Sequence, residues 1–444
     1  MSHPALLPDD ADPTSAELIA ARPHLSMHAM DGLLVEDVPL NAVADVVGTP
    51  TWVLSASAIR TRLQTLQGAF RDAGVPVSIH YAVKANDHLA VLRLVRQEGA
   101  GADVVSGGEI CRALQAGIAA SDMVFAGVGK TTWELRLALE HGVGQINVES
   151  AEELAMLSAV AAGMGRTARV ALRINPNVDA GTHAKITTGR ADNKFGIAYG
   201  TAHALYAHAA TLPGIEPVGL ALHIGSQILA MAPYRTAYAR MADLVRELRA
   251  AGQTVGVVDC GGGLGIAYRD ELPASPAAFA GAIRAAFGGM GLHVAIEPGR
   301  WLVGQAGLLL ASVVLVKHTG ARRFVVLDAA MNDLVRPSMY EAWHGVVPVS
   351  AVDAVRPTTP ADVVGPVCES GDTFARARAL PDLVADARLA VLDAGAYGSV
   401  MSSTYNARPL AAQVLVDGDR WAVIRARQPL EALWAGESVP EWLG

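Results

Sequence analysis

From residue 78 to residue 297 the chain alternates short apolar, β-branched runs with longer stretches rich in Ala, Leu and Arg. The short runs fall at 78–84, 102–106, 123–128, 145–148, 169–175, 219–224, 255–260 and 293–297, most of them separated by a helix-length segment. Eight strands with crossovers in about 220 residues predict a (β/α)8 barrel. Side chains on a strand alternate between faces. Ala82 precedes Lys84 by two positions, and in the same way Gly101 precedes Asp103, Ala171 precedes Arg173, Ala221 precedes His223 and Ala295 precedes Glu297. Five strands therefore carry, on one face, a small residue followed by a polar one at the carboxyl end. Barrel interiors are usually filled by Val, Ile and Leu, so small residues there would keep space open beneath a polar ring. The alternative is that these positions face the outer helices, where Ala packs closely. Barrel active sites lie at the carboxyl face, and this favours the interior reading.

Beyond Arg300 the rhythm changes. Strand-like segments at 307–316, 323–328, 346–351, 362–367, 389–392, 413–416 and 421–427, with turn signals such as Asp417-Gly418-Asp419, predict a mostly antiparallel β domain. Short β-like pieces between 33 and 55 can join it, leaving the barrel as an insertion. The fold class expected is α/β plus β, with a loosely held arm at 1–30, a β domain from 31–52 and 304–444, and a barrel at 53–303. The long connection at 178–197, rich in Gly, Thr, Asp and Lys, is a candidate active-site loop.

Composition narrows the partners. The apolar run at 306–316 ends at Lys317 and is too short to span a bilayer, so a buried strand fits it better. A net charge of -8 without a Lys/Arg run argues against nucleic acid or an anionic membrane as partner. The first fifteen residues include Asp9, Asp10 and Asp12 and lack a secretory layout. Cys111, Cys260 and Cys368 are far apart and odd in number, which suggests neither a disulfide framework nor a metal site and favours the cytoplasm.

Four stretches carry chemistry. Lys84 is either a strand-end lysine that reaches solvent or a buried amine whose lowered pKa makes it a nucleophile toward an aldehyde. Asp259-Cys260-Gly261-Gly262-Gly263-Leu264-Gly265 follows the seventh strand, a common place for a phosphate in such barrels, although a Gly-rich turn alone is weak evidence. Ser226 can add a hydroxyl donor there, and the flat ring of His223 can stack on a cofactor or be a satisfied core residue. Glu297, in Glu297-Pro298-Gly299-Arg300, can keep a pyridine nitrogen protonated and strengthen it as an electron sink, or pair with Arg300 at the rim.

Together, Tyr81-Ala82-Val83-Lys84-Ala85-Asn86, His223-Ile224-Gly225-Ser226-Gln227, Gly261-Gly262-Gly263, Glu297-Pro298-Gly299-Arg300, Cys368-Glu369-Ser370-Gly371-Asp372 and Gly395-Ala396-Tyr397-Gly398 resemble the alanine-racemase-fold (fold type III) pyridoxal-phosphate decarboxylases, above all their diaminopimelate-acting branch. The resemblance runs from about 33 to 427. It implies pyridoxal 5'-phosphate as cofactor, attached to Lys84, with His223 stacked on its ring, Ser226 and Gly261 to Gly263 at its phosphate, and Glu297 at its ring nitrogen. Asp103, Arg173, Gly299, Arg300 and Tyr397 complete the expected cofactor set. An arginine stands at the Glu297 position in the racemase branch, so glutamate favours decarboxylation. The resemblance further implies a homodimer with shared active sites, in which Cys368 of the partner subunit protonates the product and Glu369 of the partner subunit meets the distal ammonium of the substrate.

Arg300, Arg336 and Tyr340 match the family's carboxylate-binding set, and Tyr397 contacts substrate as well as cofactor. Arginines bind carboxylates bidentately, and two of them with one acid suit a substrate whose far end is itself an amino acid. Meso-2,6-diaminopimelate has that end, and its decarboxylation gives L-lysine and CO2, a step of lysine biosynthesis. The alternatives are a decarboxylase of the same fold acting on another basic or D-amino acid, an amino-acid racemase, or a cofactor-binding protein without catalysis.

Overall fold

The computed structural model describes residues 12–181, 188–189 and 194–444. The chain forms two compact units, one of Met1–Ala58, Tyr268–Asp270 and Gly304–Gly444, the other of Ile59–Ala267 and Glu271–Val303.

The second unit is the expected barrel. Its eight parallel strands are Val77–Ala82, Gly101–Val104, Met123–Phe125, Gln145–Val148, Ala168–Asn175, Ile215–Ala221, Val257–Asp259 and His293–Ile296. The last pairs with the first (Ala295 opposite Ser78), and the fourth pairs with the fifth, which closes the ring. Val104, Phe125, Ile146, Val148 and Leu172 are all buried, as are the apolar stripes of helices such as Leu89–Gln97 and Ala232–Ala250. Helix starts are set by local chemistry. Ser106 and Ser150, in extended backbone, accept N–H bonds from Glu109 and Glu153 in the first turns of the helices Gly107–Gln115 and Ala151–Gly163.

The other unit is mostly β, as expected. Its large sheet runs in the order Thr373–Pro381, Thr358–Val364, Arg322–Leu327, Gly307–Thr319, Thr51–Ser55, Ala412–Asp417, Arg420–Arg425, with Val346–Pro348 and Arg388–Val391 branching from it. The apolar run expected as a strand pairs with Thr51–Ser55, so the barrel is inserted in the chain between strands of this sheet. Strand Thr373–Pro381 was not anticipated. Its Ala and Arg residues are good helix formers, and the buried Arg378 breaks the apolar alternation. The expectation of a loose arm also fails for residues 12–30. Ser15–Ala20 is a helix with a capping box, Leu18 and Ile19 are buried, and the buried Arg22 is ion-paired with Asp393.

Candidate active site

The first barrel strand ends at Ala82, two residues before Lys84. Lys84 lies in a single 3-10 turn, Val83–Ala85, so the strand alternation that grouped it with His80 and Ala82 does not extend to it. Val83 and Ala85 are buried and anchor the turn. Tyr81 fixes its far side, its hydroxyl donating to the Asn86 carbonyl at 3.0 Å, and Ala82 N–H bonds the Pro298 carbonyl at 3.1 Å. The Lys84 side chain is thereby held at the barrel mouth, 34% exposed, with Nζ 2.5 Å from Oδ2 of the buried Asp103.

The remaining strands supply a polar lumen, as the small-then-polar pattern led us to expect. Ala171, Ala221 and Ala295 are buried; two residues on, Arg173 sits within its strand, while His223 and Glu297 lie just past the ends of theirs. Lys84, Asn147, Arg173, Phe195, His223 and Glu297 border a cavity of about 310 Å³, with Ala221 and Gly127 among its small lining residues. Asn147 was missed from the sequence. It donates to Asp259 (3.3 Å) and Glu297 (3.4 Å), while Gln145 donates to it at 2.8 Å. The signal was present: Gln145, Asn147 and Glu149 are polar at a period of two, with Ile146 and Val148 between them. Asp259, expected only as the start of a turn, is fully buried and also accepts Gly261 N–H at 3.0 Å.

Electrostatics follow from this crowding. Burial, together with the charges of Asp103 and Asp259, pushes the Glu297 carboxyl well above its usual range, against the opposing pull of Lys84. His223 is driven well below its usual value by burial and by the cations Arg173 and Lys84, so its ring is neutral at physiological pH. Gly262 N–H donates to His223 Nδ1 at 3.3 Å.

The glycine turn after the seventh strand is required by close backbone packing. A Cβ on Gly261, Gly262 or Gly263 would come within 2.0–2.3 Å of the carbonyls of Leu222, Glu297 and Gly225 respectively. Gly299 precedes the short helix Arg300–Val303, and the buried Arg300 donates from Nη2 to Ser226 Oγ at 3.0 Å. A guanidinium and a hydroxyl thus meet beside a glycine turn, a donor set suited to an anion.

Within the barrel the structure brings Lys84, Asp103, Arg173, His223 and Glu297 together, and Ser226 with Arg300. The glycines 261–263 and Gly299 also belong to the barrel, and Arg336, Tyr340, Cys368, Glu369 and Tyr397 to the β unit. Arg336 opens the helix Arg336–Tyr340; it is buried, its guanidinium lies 4.9 Å from the Tyr268 ring centroid, and Nη1 is 2.9 Å from His344 Nε2. Tyr340 closes that helix and is half-buried. Cys368 is an exposed free thiol, and the exposed Glu369 accepts the Tyr405 hydroxyl. Their loop is tied at its base by Asp372, which accepts the N–H groups of Met331 and Val367 at 2.7 Å each. Tyr397 has a positive φ of 55°. The candidate loop at 178–197 lies partly outside the described residues; of its described part, Thr188 and Phe195 border the cavity, and Thr188 Oγ1 donates to the His223 carbonyl at 2.8 Å.

The donor set fits pyridoxal phosphate. The cavity mouth carries an amine, a guanidinium and a hydroxyl form donors suited to an anion, and buried acids suit a cation. Asp103 Oδ1 is a buried acceptor without a hydrogen-bond partner among the described residues, and Glu297 is held toward its neutral form for want of positive charge.

Comparison with known proteins agrees with this chemistry. Residues 56–304 match the family described as "Pyridoxal-dependent decarboxylase, pyridoxal binding domain". The chain is 47% identical over 414 residues to diaminopimelate decarboxylase of Zymomonas mobilis, covering 93% of this chain and 98% of that one. It is 46% identical to the Pseudomonas aeruginosa protein of the same name, with 92% and 97% covered. Among solved structures, diaminopimelate decarboxylase from M. jannaschi superposes with a TM-score of 0.90 at 34% identity, covering 96% of this chain and all of that one. The Helicobacter pylori enzyme complexed with L-lysine gives 0.86 at 39% identity, covering 89% and 98%.

Proposed function

The chain belongs to the pyridoxal-dependent decarboxylases and, among them, to the diaminopimelate decarboxylases, and from that premise we propose how its own residues divide the work. The reaction removes one carboxylate from meso-2,6-diaminopimelate to give L-lysine and CO2, with pyridoxal 5'-phosphate as cofactor. When bound, the cofactor supplies an electron sink for the pair left as CO2 departs.

Lys84 would hold the cofactor covalently through Nζ, with Asp103 orienting that amine. Glu297 would lie at the ring nitrogen and favour its protonated form, which strengthens the sink; an arginine in its place would weaken it. His223, neutral, would offer its flat ring to the face of the cofactor, and Arg173 would border it. Ser226, Gly261 to Gly263, Gly299 and Arg300 hold the phosphate end. Arg300, Arg336 and Tyr340 receive the substrate's distal carboxylate, Glu369 of the partner subunit its distal ammonium, and Tyr397 touches both cofactor and substrate. Cys368 of the partner subunit delivers the proton to the carbon that CO2 leaves. This division requires a homodimer, and we place the enzyme in the cytoplasm as a step of lysine biosynthesis. Among the described residues no helix is long and apolar enough to cross a membrane.

The observation that carries the reading is the buried acid set Asp103, Asp259 and Glu297 beside Lys84, an arrangement that calls for a cationic ring within reach of an amine. A CO2-release assay tests it, comparing meso-diaminopimelate with D-lysine, L-lysine, ornithine and arginine. The other substrates leave an arginine unpaired, a penalty of roughly 2–5 kcal/mol, so diaminopimelate should be turned over at least tenfold faster. Preference for any of the others would overturn the substrate assignment.

A further inference from the structure

Behind the cavity wall lies a chain of buried charges that the roles above leave unused, apart from its last member, Arg173. The Lys130 side chain is fully buried and directs its ammonium at Gly127 O (2.8 Å), Asn147 O (2.7 Å) and Glu153 Oε1 (2.6 Å), which engages all three of its donors. Glu153 Oε2 in turn accepts the Glu149 N–H at 3.0 Å. The Glu149 carboxylate, also buried, divides its oxygens between three segments. Oε1 accepts Gly127 N–H at 3.0 Å and Arg173 Nη1 at 2.7 Å, and Oε2 accepts Gly196 N–H at 3.2 Å. Beside it the Arg173 guanidinium lies 5.0 Å from the Phe195 ring centroid. Lys130, Glu153, Glu149 and Arg173 balance in charge, which is how such groups persist in an interior.

We propose that Glu149 is a positioning residue for the decarboxylation: through one carboxylate it fixes the direction of Arg173 and ties Gly127 and Gly196 into the cavity wall around the cofactor. Three features support this over a purely structural ion pair. Gly127, Arg173 and Phe195 all border the cavity, so every segment that Glu149 holds ends there. Gly196 has φ 74°, and a Cβ on it would lie 3.0 Å from Asn175 N and 3.2 Å from Arg173 O, so the segment that Glu149 holds is seated directly on the backbone of the Arg173 strand. Finally, Lys130 and Glu153 fix the main chain of Glu149 itself, so the carboxylate is aimed from a rigid base.

The inference rests on the proposed place of Arg173 beside the cofactor, and the test separates the two. In the purified holoenzyme, Glu149→Gln keeps size and one acceptor but removes the charge that Arg173 faces. Loss of a charge-assisted buried bond should weaken cofactor retention, measured as the dissociation constant for pyridoxal phosphate by its visible absorbance, about ten- to a hundredfold. Arg173→Met should weaken it at least as much, and the double variant far less than the product of the two single effects, because Glu149 acts largely through Arg173. Glu149→Asp, which keeps the charge but withdraws it, carries the same comparison with a smaller loss if Glu149→Gln does not accumulate as folded protein. An unchanged dissociation constant with a lowered melting temperature would overturn the proposal, as would fully multiplicative effects in the double variant. Turnover of diaminopimelate by the wild-type enzyme in the same experiment keeps the proposed function standing whichever way the variants fall.

Discussion

The lumen of the barrel and the interior of the β unit are both buried, yet they are filled with different chemistry. At the carboxyl end of the barrel, Asp103, Asn147, Arg173, Asp259 and Glu297 occupy positions that Val, Ile and Leu usually take. The β unit instead encloses two apolar clusters, one around Trp52, Leu309, Val325 and Leu389, the other around Leu33, Leu40, Val347 and Val414. The barrel gives up its central core to reactive groups and takes its hydrophobic stabilisation from the strand faces turned toward the helices. Substitutions in its lumen should therefore strike cofactor and turnover more than folding, and substitutions in the β unit the reverse.

The largest effect expected is from Lys84→Ala. Activity should fall on the order of a thousandfold or more, with a melting temperature lowered only by what the lost pairing with the buried Asp103 costs, the protein still folding. A steady-state assay beside a thermal melt reads both quantities, and a large loss of stability with activity retained would break the comparison. In the β unit, Leu309→Ala removes a fully buried side chain and should cost about 2–5 kcal/mol. Denaturant titration measures that loss, while kcat for the folded fraction should hold.

Much of this contrast is legible in the sequence. The strands stand out because short apolar runs recur between helix-length segments, and the ring of Asp103, Arg173, His223 and Glu297 stands out because a small residue precedes each. What escaped did so for physical reasons. Asn147 follows Gln145 instead of a small residue, so the pattern passed over it. The role of Glu149 depends on Lys130, Glu153 and Gly196, which only the fold brings together. The shape of the Lys84 turn is set by a tyrosine hydroxyl and a carbonyl from another strand end, neither of which strand periodicity reports.

Two smaller effects sharpen the comparison. Ala221 borders the cavity and is buried, so Ala221→Leu should fill space meant for the cofactor. It should cost about 1–3 kcal/mol in the cofactor-free protein but abolish cofactor retention. Retention at wild-type affinity would show that the small residues do not keep that space open. Glu297→Gln should show the smallest change in stability, and in the favourable direction. The folded carboxyl titrates above its unfolded value near 4.5, so the folded cofactor-free protein binds the extra proton and loses stability as pH rises from there. The variant should flatten that decline while lowering kcat. Melting temperatures of cofactor-free protein across pH 4 to 8 (a window of roughly the relevant carboxylate range) check the sign, and a steeper decline in the variant would contradict it.

Everything proposed for the site stands on the amine at the barrel mouth being the group that takes the cofactor. The chain has five lysines, at 84, 130, 185, 194 and 317. Borohydride reduction of the protein loaded with pyridoxal phosphate, followed by peptide mass mapping, asks which of them carries the label. We expect a single pyridoxyl group on Lys84; a label on any other lysine, or none on a fully loaded protein, would contradict the claim.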